Sequence, residues 1–520
     1  MRCVGRVLLF CILSGVMLSL LSTLLKPSFG DEGESVRGMY QQEKNSAQVV
    51  CFGASTLLRS FSPDYLFEHE GIYAYNNCSP NQPTMASYYL LKDTLELHPK
   101  SLSLIILDMA PLVRNDGKFD SFAWFERAAV NMRFSINKLA FMWDISRSYS
   151  DYNLLGHVLP VLSYHSRWDQ LEEDDFKQVV DGRVDTSMHG QCLRGISFIS
   201  NRSQGNAGKY TANNVESITN RLDYSEEELR AYQNELCAEY ASKIIALCKE
   251  SGVQVLLLKT PSSAWTDKDH DCLTSFAQEH EVDLLDMNIP EVWNQLGLSY
   301  DDDYRDSKHV NFLGSLKVTD YVGKYLTEHF ASILKPIETA SPFSDEDLNT
   351  FHNAIESASL RRCTDLKSYL AMINRQRLTV FVSTKGDVAQ SIDLETKQLM
   401  EQLGMKKLAS IGSNESYVGV LNRGQCVGEQ TRKPHKTATI NGTYEHGVVH
   451  LGNARMQKDA VFNNALDISS SAEEAVIKVN GKNRSVNMNG INFVVYDEEQ
   501  EAVVDTSCFD ATQAPNRISN

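Results

Sequence analysis

The chain has 520 residues, 42% of them hydrophobic and 22% charged, with a formal net charge of −17. That length supports two or three domains with substantial cores. The acidic charge is spread along the chain, which excludes the basic face that nucleic-acid binding requires and suits an acidic, soluble outer surface. Eleven cysteines at irregular spacings, with no CxxC pair, give neither a zinc pattern nor a compact disulfide framework. Cys51, Cys237 and Cys248 stand inside apolar runs, where cysteine behaves as a small core residue.

The first predicted element is Val7 to Leu25, a run of 19 residues without a charge. As a helix it spans roughly 28 Å, close to the ~30 Å hydrocarbon layer of a bilayer. Arg2 and Arg6 precede it, and Lys26, Asp31, Glu32 and Glu34 follow. That balance places the amino terminus inside and the bulk of the chain outside the cell membrane. No small-x-small site follows the run, so residues 1–28 read first as a signal anchor and second as a cleaved signal peptide with secretion. Residues 29–45 are polar and read as a stalk.

From 46 to 335, short apolar runs alternate with helical patterns: VVCFG (49–53), LSLIILDM (102–109), VQVLLLKT (253–260) and VDLLDM (282–287). The helical pattern at 225–252 opens with Ser225 and Glu228 as a capping box and stops at Gly252. This alternation predicts an α/β fold, a flavodoxin-like parallel sheet sandwiched by helices, with sites beyond the carboxyl ends of its strands. Residues 113–200 interrupt the rhythm as a helical, aromatic insertion. Residues 336–347 read as a linker, and 348–520 as a smaller α+β domain. In it the pattern predicts strands at 378–384 and 417–422 around a helix near 387–403, then a β-rich tail at 437–442, 474–481 and 491–505.

Ser55 follows the first strand in the sequence Gly-Ala-Ser-Thr. A serine hydroxyl becomes a useful nucleophile only when a base takes its proton and a third group orients that base. Asp306 and His309, three residues apart in DSKH, fall on one side of a turn and could supply both. The competing reading makes Ser55 a helix N-cap and the Asp306–His309 stretch a capped, solvated loop.

These residues also carry a resemblance. FGAST (52–56) and DSKHVNFLG (306–314) resemble the first and last blocks of the SGNH/GDSL hydrolase family. Residues 75–109 are similar to the segment after the first block in its membrane-anchored, extracytoplasmic members, those like the lipoteichoic-acid D-alanylation and alginate O-acetylation proteins. The resemblance covers residues 47 to 330. It implies Ser55 as nucleophile, His309 as general base and Asp306 as orienting acid, with no cofactor and no metal. It also implies a cell-surface polysaccharide as substrate and a membrane-bound O-acyltransferase as donor partner. Two blocks depart from the family. Cys78 stands where a glycine is expected, and LDMAPL (107–112) lacks the oxyanion asparagine. The Ser55 N–H and Asn76 or Asn77 are the remaining oxyanion candidates. His165 and Arg167 are candidate substrate contacts, against a packing role through Tyr164 and Trp168.

In the second domain, residues 489–510 resemble the opening of the interleukin-like EMT inducer (ILEI) domain and residues 369–424 its closing half. Their order is reversed, which implies a circular permutation. The resemblance implies a carbohydrate-binding surface, against a module that only spaces or oligomerises the enzyme. The sequence therefore leads to a membrane-anchored extracytoplasmic serine esterase or O-acyltransferase acting on acyl, chiefly acetyl, esters of a cell-surface polysaccharide. The alternative is an inactive SGNH-fold scaffold for glycan binding or assembly.

Overall fold

The computed structural model describes residues 2–25, 33–113, 122–149, 152–171, 175–176, 223–262, 265–337, 345–445, 447–452, 465–499, 502–510 and 517–519. The chain divides into two compact units, Met1–Phe351 and His352–Asn520.

The first unit is built on five parallel strands: β1 (Val49–Phe52), β2 (Ala74–Asn76), β3 (Leu104–Asp108), β4 (Gln254–Lys259) and β5 (Asp283–Asp286), in the order β2-β1-β3-β4-β5. The four apolar runs supply four of them. β2 is only three residues, Ala-Tyr-Asn, too short and mixed to announce itself as a strand. Alternate residues feed two separate cores. Val50, Phe52, Ile105, Leu107, Val255 and Leu257 face one. Val49, Cys51, Leu104, Ile106, Leu256 and Leu258 face the other. A strand covered on both faces reads as continuously apolar for this reason.

Helices fill the connections. α1 (Arg2–Leu25) and α2 (Glu34–Met39) precede the sheet, α3 (Ser55–Leu58) and α4 (Pro63–Glu70) follow β1, and α5 (Thr84–Leu97) follows β2. After β3 come α6 (Phe122–Asn131), α7 (Ile136–Ser148), α8 (Leu154–Val158) and α9 (Val161–Tyr164), then α10 (Glu226–Tyr232) and α11 (Glu235–Ser251). α12 (Asp267–His280) joins β4 to β5, and α13 (Pro290–Leu296), α14 (Tyr300–Asp303) and α15 (Phe312–His329) close the unit.

Three expectations change here. The stalk is not one: α2 buries Val36 and Met39, Tyr75 Oη donates to the Ser35 carbonyl at 2.8 Å, and Tyr40 Oη donates to Asp93 at 2.8 Å. Two apolar side chains three residues apart anchor a polar-looking segment to the core. The helix expected over 225–252 is two helices. The capping box at Ser225 forms, but Gln233 is extended and the Asn234 side chain accepts from the Cys237 N–H to start a second helix. The Asn234 N–H donates to the Leu112 carbonyl at 2.7 Å, a tertiary bond that interrupts the local ladder. Finally, the expected linker 336–347 lies outside the described residues at 338–344, and its end is helical. A helix, α16 (Asp345–Arg362), starts within it and runs past the division at Phe351.

The second unit adds α17 (Leu366–Met372), α18 (Leu394–Gln402) and α19 (Lys406–Ala409). Its strands are β6 (Leu378–Lys385), β7 (Ser416–Asn422), β8 (Gln425–Arg432), β9 (Ala438–Glu445), β10 (Val448–Leu451), β11 (Ala465–Ser470), β12 (Ala475–Val479), β13 (Lys482–Asn483), β14 (Gly490–Asp497), β15 (Ala502–Phe509) and β16 (Arg517–Ser519). They form a six-stranded sheet, β16-β15-β14-β6-β7-β8, and a five-stranded one, β10-β9-β11-β12-β13. Helices cover one face of the larger sheet, and the smaller sheet covers the other. α18 begins only at Leu394, N-capped by Asp393, so the earlier part of the expected helix is a turn that still buries Val388 and Ile392.

Candidate active site

β1 ends at Phe52, and the chain turns through Gly53 and Ala54 before Ser55 opens α3. The turn is held from two sides. The buried Asp108 carboxylate, at the end of β3, accepts from the Ala54 N–H and the Thr56 hydroxyl, each at 3.2 Å, and from the Ala110 N–H at 3.0 Å. Gly53 makes that approach achievable, because a Cβ there would lie 2.3 Å from Asp108 Cβ. From the other side, Asn76 Nδ2 donates to the carbonyls of Leu57, Leu58 and Phe61. Leu57 and Leu58 end the short helix that carries Ser55, whose last carbonyls need such partners, and Phe61 lies just beyond it.

The base arrives from the far end of the unit. Between α14 and α15 the chain makes a tight loop closed by a bridge from Tyr304 to Val310 and by the Arg305 N–H donating to the His309 carbonyl at 2.9 Å. Asn311 caps α15 by accepting from the Gly314 N–H, and its own amide donates to the Asp302 carbonyl. Lys317 reaches Asp303 at 2.8 Å. Within this frame Asp306 accepts from the Lys308 and His309 N–H groups at 2.9 and 3.0 Å. Both of its oxygens lie 2.9 Å from His309 Nδ1. The capped-loop reading and the proton-relay reading of Asp306 thus describe the same side chain.

Ser55 Oγ lies 2.8 Å from His309 Nε2. With Nδ1 donating to Asp306, Nε2 keeps its lone pair, so the serine hydroxyl is the donor. Burial opposes ionisation of Asp306, but the hydrogen bonds from the His309 ring and the two N–H groups hold its carboxyl well below the usual carboxylate range. The ring therefore faces a permanent anion on one side and the hydroxyl on the other. Ser55 and His309 are only partly buried, which leaves the hydroxyl open to a reactant. The neighbouring thiols of Cys51 and Cys78 are pushed up by burial and do not compete as nucleophiles.

The other sequence candidates separate. Asn76 is corrected to a structural role, since its amide is committed to three carbonyls. Asn77 is also buried, and the Oδ1 atoms of Asn76 and Asn77 both lack a hydrogen-bond partner. Arg167 pairs with Asp175 at 3.0 Å and donates to the Leu25 carbonyl at 3.1 Å, which ties the insertion to the end of α1. His165 Nδ1 lies 3.1 Å from the Leu162 carbonyl on an exposed turn. Trp168, expected to pack the insertion, is exposed instead.

Sequence reasoning missed Asp108 and a second histidine–aspartate pair. His270 Nδ1 lies 2.8 Å from Asp286, which also accepts from Trp265 Nε1 at 2.7 Å. Asp108 and Asp286 end strands in a parallel sheet, which is the signal that could have found both. A groove of about 780 Å³ along α15, lined by Tyr65, Tyr321 and Tyr325 among others, contains none of Ser55, His309 and Asp306.

Comparison with known proteins bears mainly on the second unit. Residues 339–425 match the interleukin-like EMT inducer (ILEI) family. The ILEI segment supplies β6 and β7, yet its sheet is completed from outside the match. β14 pairs with β6 antiparallel from Gly490 opposite Lys385 to Asp497 opposite Leu378. β14, in the 489–510 stretch that lies outside the match, is thus a neighbour in space of the matched β6. The ends of the unit also meet, Tyr369 Oη donating to Asp505 at 2.6 Å and Arg517 to the Leu360 carbonyl at 2.6 Å. Among solved structures, a candidate acylhydrolase from Bacteroides fragilis aligns at 11% identity over 55% of this chain and 89% of its own, with a TM-score of 0.24. At that level the likeness adds nothing to what the strands and side chains show. No curated protein matches the chain.

Proposed function

We propose that the first unit is an SGNH-type serine esterase or O-acyltransferase, held on the extracytoplasmic side of a membrane by α1. The observation that carries this reading is the unbroken line of hydrogen bonds from Ser55 Oγ through the His309 ring to Asp306. Ser55 Oγ attacks the ester carbonyl carbon while its proton passes to His309 Nε2. The tetrahedral oxyanion collapses, the carbon–oxygen bond to the alcohol breaks, and the imidazolium returns the proton to the leaving oxygen. An acyl-Ser55 remains. Water or a sugar hydroxyl then gives its proton to His309 and takes the acyl group, and Ser55 is restored. The Ser55 N–H and the Asn77 amide are the oxyanion donors in this scheme, and one such donor is worth ~3 kcal/mol.

Acyl esters of a cell-surface polysaccharide, acetyl esters foremost, are the proposed substrate, with a membrane-bound O-acyltransferase as the proposed donor. The test is a serine-directed fluorophosphonate probe and a p-nitrophenyl acetate assay on the detergent-purified full chain. Labelling and turnover are expected in the wild type and are lost in Ser55→Ala. A folded wild type that neither labels nor turns over would overturn the enzyme and leave the inactive glycan-binding scaffold.

A further inference from the structure

Every exposed large apolar side chain described in the first unit outside α1 lies between residues 122 and 176, in the insertion that follows β3. α7 shows the pattern best. Phe141, Met142 and Ile145 are buried in the core, while Ile136, Leu139 and Trp143 stand on the opposite face, with Ile136 85% exposed. A helix apolar on both faces is expected to be covered on both. The bare surface continues through Leu155 on α8, Leu162 on α9 and Trp168 in the 3₁₀ turn His165–Gln170.

That surface joins the end of α1. α7 packs on α8 and α8 on α9, while α9 and the 3₁₀ turn pack on α1. The Val161 N–H donates to Ser22 Oγ at 3.4 Å, and Arg167 donates to the Leu25 carbonyl. Charge agrees with this setting. Residues 122–170 carry five Lys and Arg against four Asp and Glu, in a chain whose net charge is −17.

We propose that α7, α8, α9 and the following turn form a platform lying on the lipid leaflet from which the carboxyl end of α1 emerges. The occupant of the apolar face is the bilayer. Trp143 and Trp168 sit at headgroup level, as indoles do, and Ile136, Leu155 and Leu162 enter the acyl boundary. This rests on the reading of α1 as a retained anchor. The insertion leaves the sheet just after Asp108, on the edge that carries Ser55, so the platform favours esters or acceptors presented at the membrane surface.

The test reconstitutes the full chain in phosphatidylcholine–phosphatidylglycerol nanodiscs containing lipids brominated near the headgroup. Tryptophan emission is expected to be quenched, and the quenched fraction is lost in the double variant Trp143→Phe, Trp168→Phe. Both replaced side chains are exposed, so the fold tolerates the change, and unaltered circular dichroism checks it. Emission that stays open to aqueous iodide and blind to brominated lipid, in a chain that resists carbonate extraction, overturns the platform while leaving the anchor intact. Protection from iodide without bromolipid quenching means that a protein covers the face, and overturns it equally. A chain released by carbonate overturns the anchor and the platform together.

Discussion

Among the described residues, the first unit contains two histidine–aspartate pairs with the same bond, an Nδ1 within 2.9 Å of a carboxylate, and different surroundings. In the His309–Asp306 pair the side chains are 18% and 41% exposed, and Nε2 meets the Ser55 hydroxyl. In the His270–Asp286 pair they are 11% and 1% exposed. There Asp286 also holds the Trp265 indole and Asn288, and His270 Nε2 has only Thr274 Oγ1 at 3.4 Å. Burial opposes ionisation of Asp286, but the His270 ring and Asn288 keep its carboxyl below the usual range. The bond alone therefore does not define a site. A hydroxyl on the far nitrogen and an opening to solvent separate the proposed relay from the strut.

The same substitution in each pair sharpens the contrast. Asp306→Ala is expected to lower kcat for p-nitrophenyl acetate by roughly 10³–10⁴-fold, because the imidazole loses its tautomer and its counter-charge. Its cost in stability is within ~1 kcal/mol, since the pair is partly solvated. Asp286→Ala is expected to do the reverse. It destabilises the unit by ~3–5 kcal/mol in urea unfolding, while turnover per folded molecule holds. Equal losses of activity in both variants would erase the distinction.

Asp108 lies between these extremes, because it acts on the turn before Ser55 rather than on the proton. Asp108→Ala leaves buried N–H and hydroxyl groups unpaired at ~1–3 kcal/mol each. The melting temperature is expected to fall together with the rate of fluorophosphonate labelling, since the turn no longer holds Ser55 against His309. Unchanged labelling in a destabilised variant would make Asp108 a purely structural clamp.

The smallest expected effect is on acid stability. An aspartate whose folded pKa lies below its unfolded value of ~3.9 adds stability fully present above that value and lost as pH falls toward the folded pKa. Both Asp286 and Asp306 are shifted in that direction. Each alanine variant should therefore show a shallower loss of stability below about pH 4 than the wild type. Urea midpoints measured between neutral and acidic pH decide this.

Much of the architecture was legible from local pattern. Four strands followed from apolar runs bounded by turn residues. The caps at Ser225 and Gly252 followed from chemistry that acts within one turn of the chain. The pairing of Asp306 with His309 is equally local, three residues on one loop. Local pattern failed where a distant partner took over a short segment. α2 looked like stalk because only Val36 and Met39 mark its contact with the core. β2 is a strand only because β1 lies beside it. The amides of Asn76 and Asn77 are identical in sequence terms, yet only one was claimed by the carbonyls of α3.

Composition and periodicity were enough for an apolar amino-terminal helix, a layered α/β unit and a smaller α+β unit, because burial on one or both faces imposes its period on the residues themselves. Folding alone set Ser55 against His309 across 254 residues, laid β14 along β6, and left one face of α7 bare. Those facts depend on which surfaces meet. A hydrogen bond of 2.8 Å between remote loops leaves no periodicity in either of them.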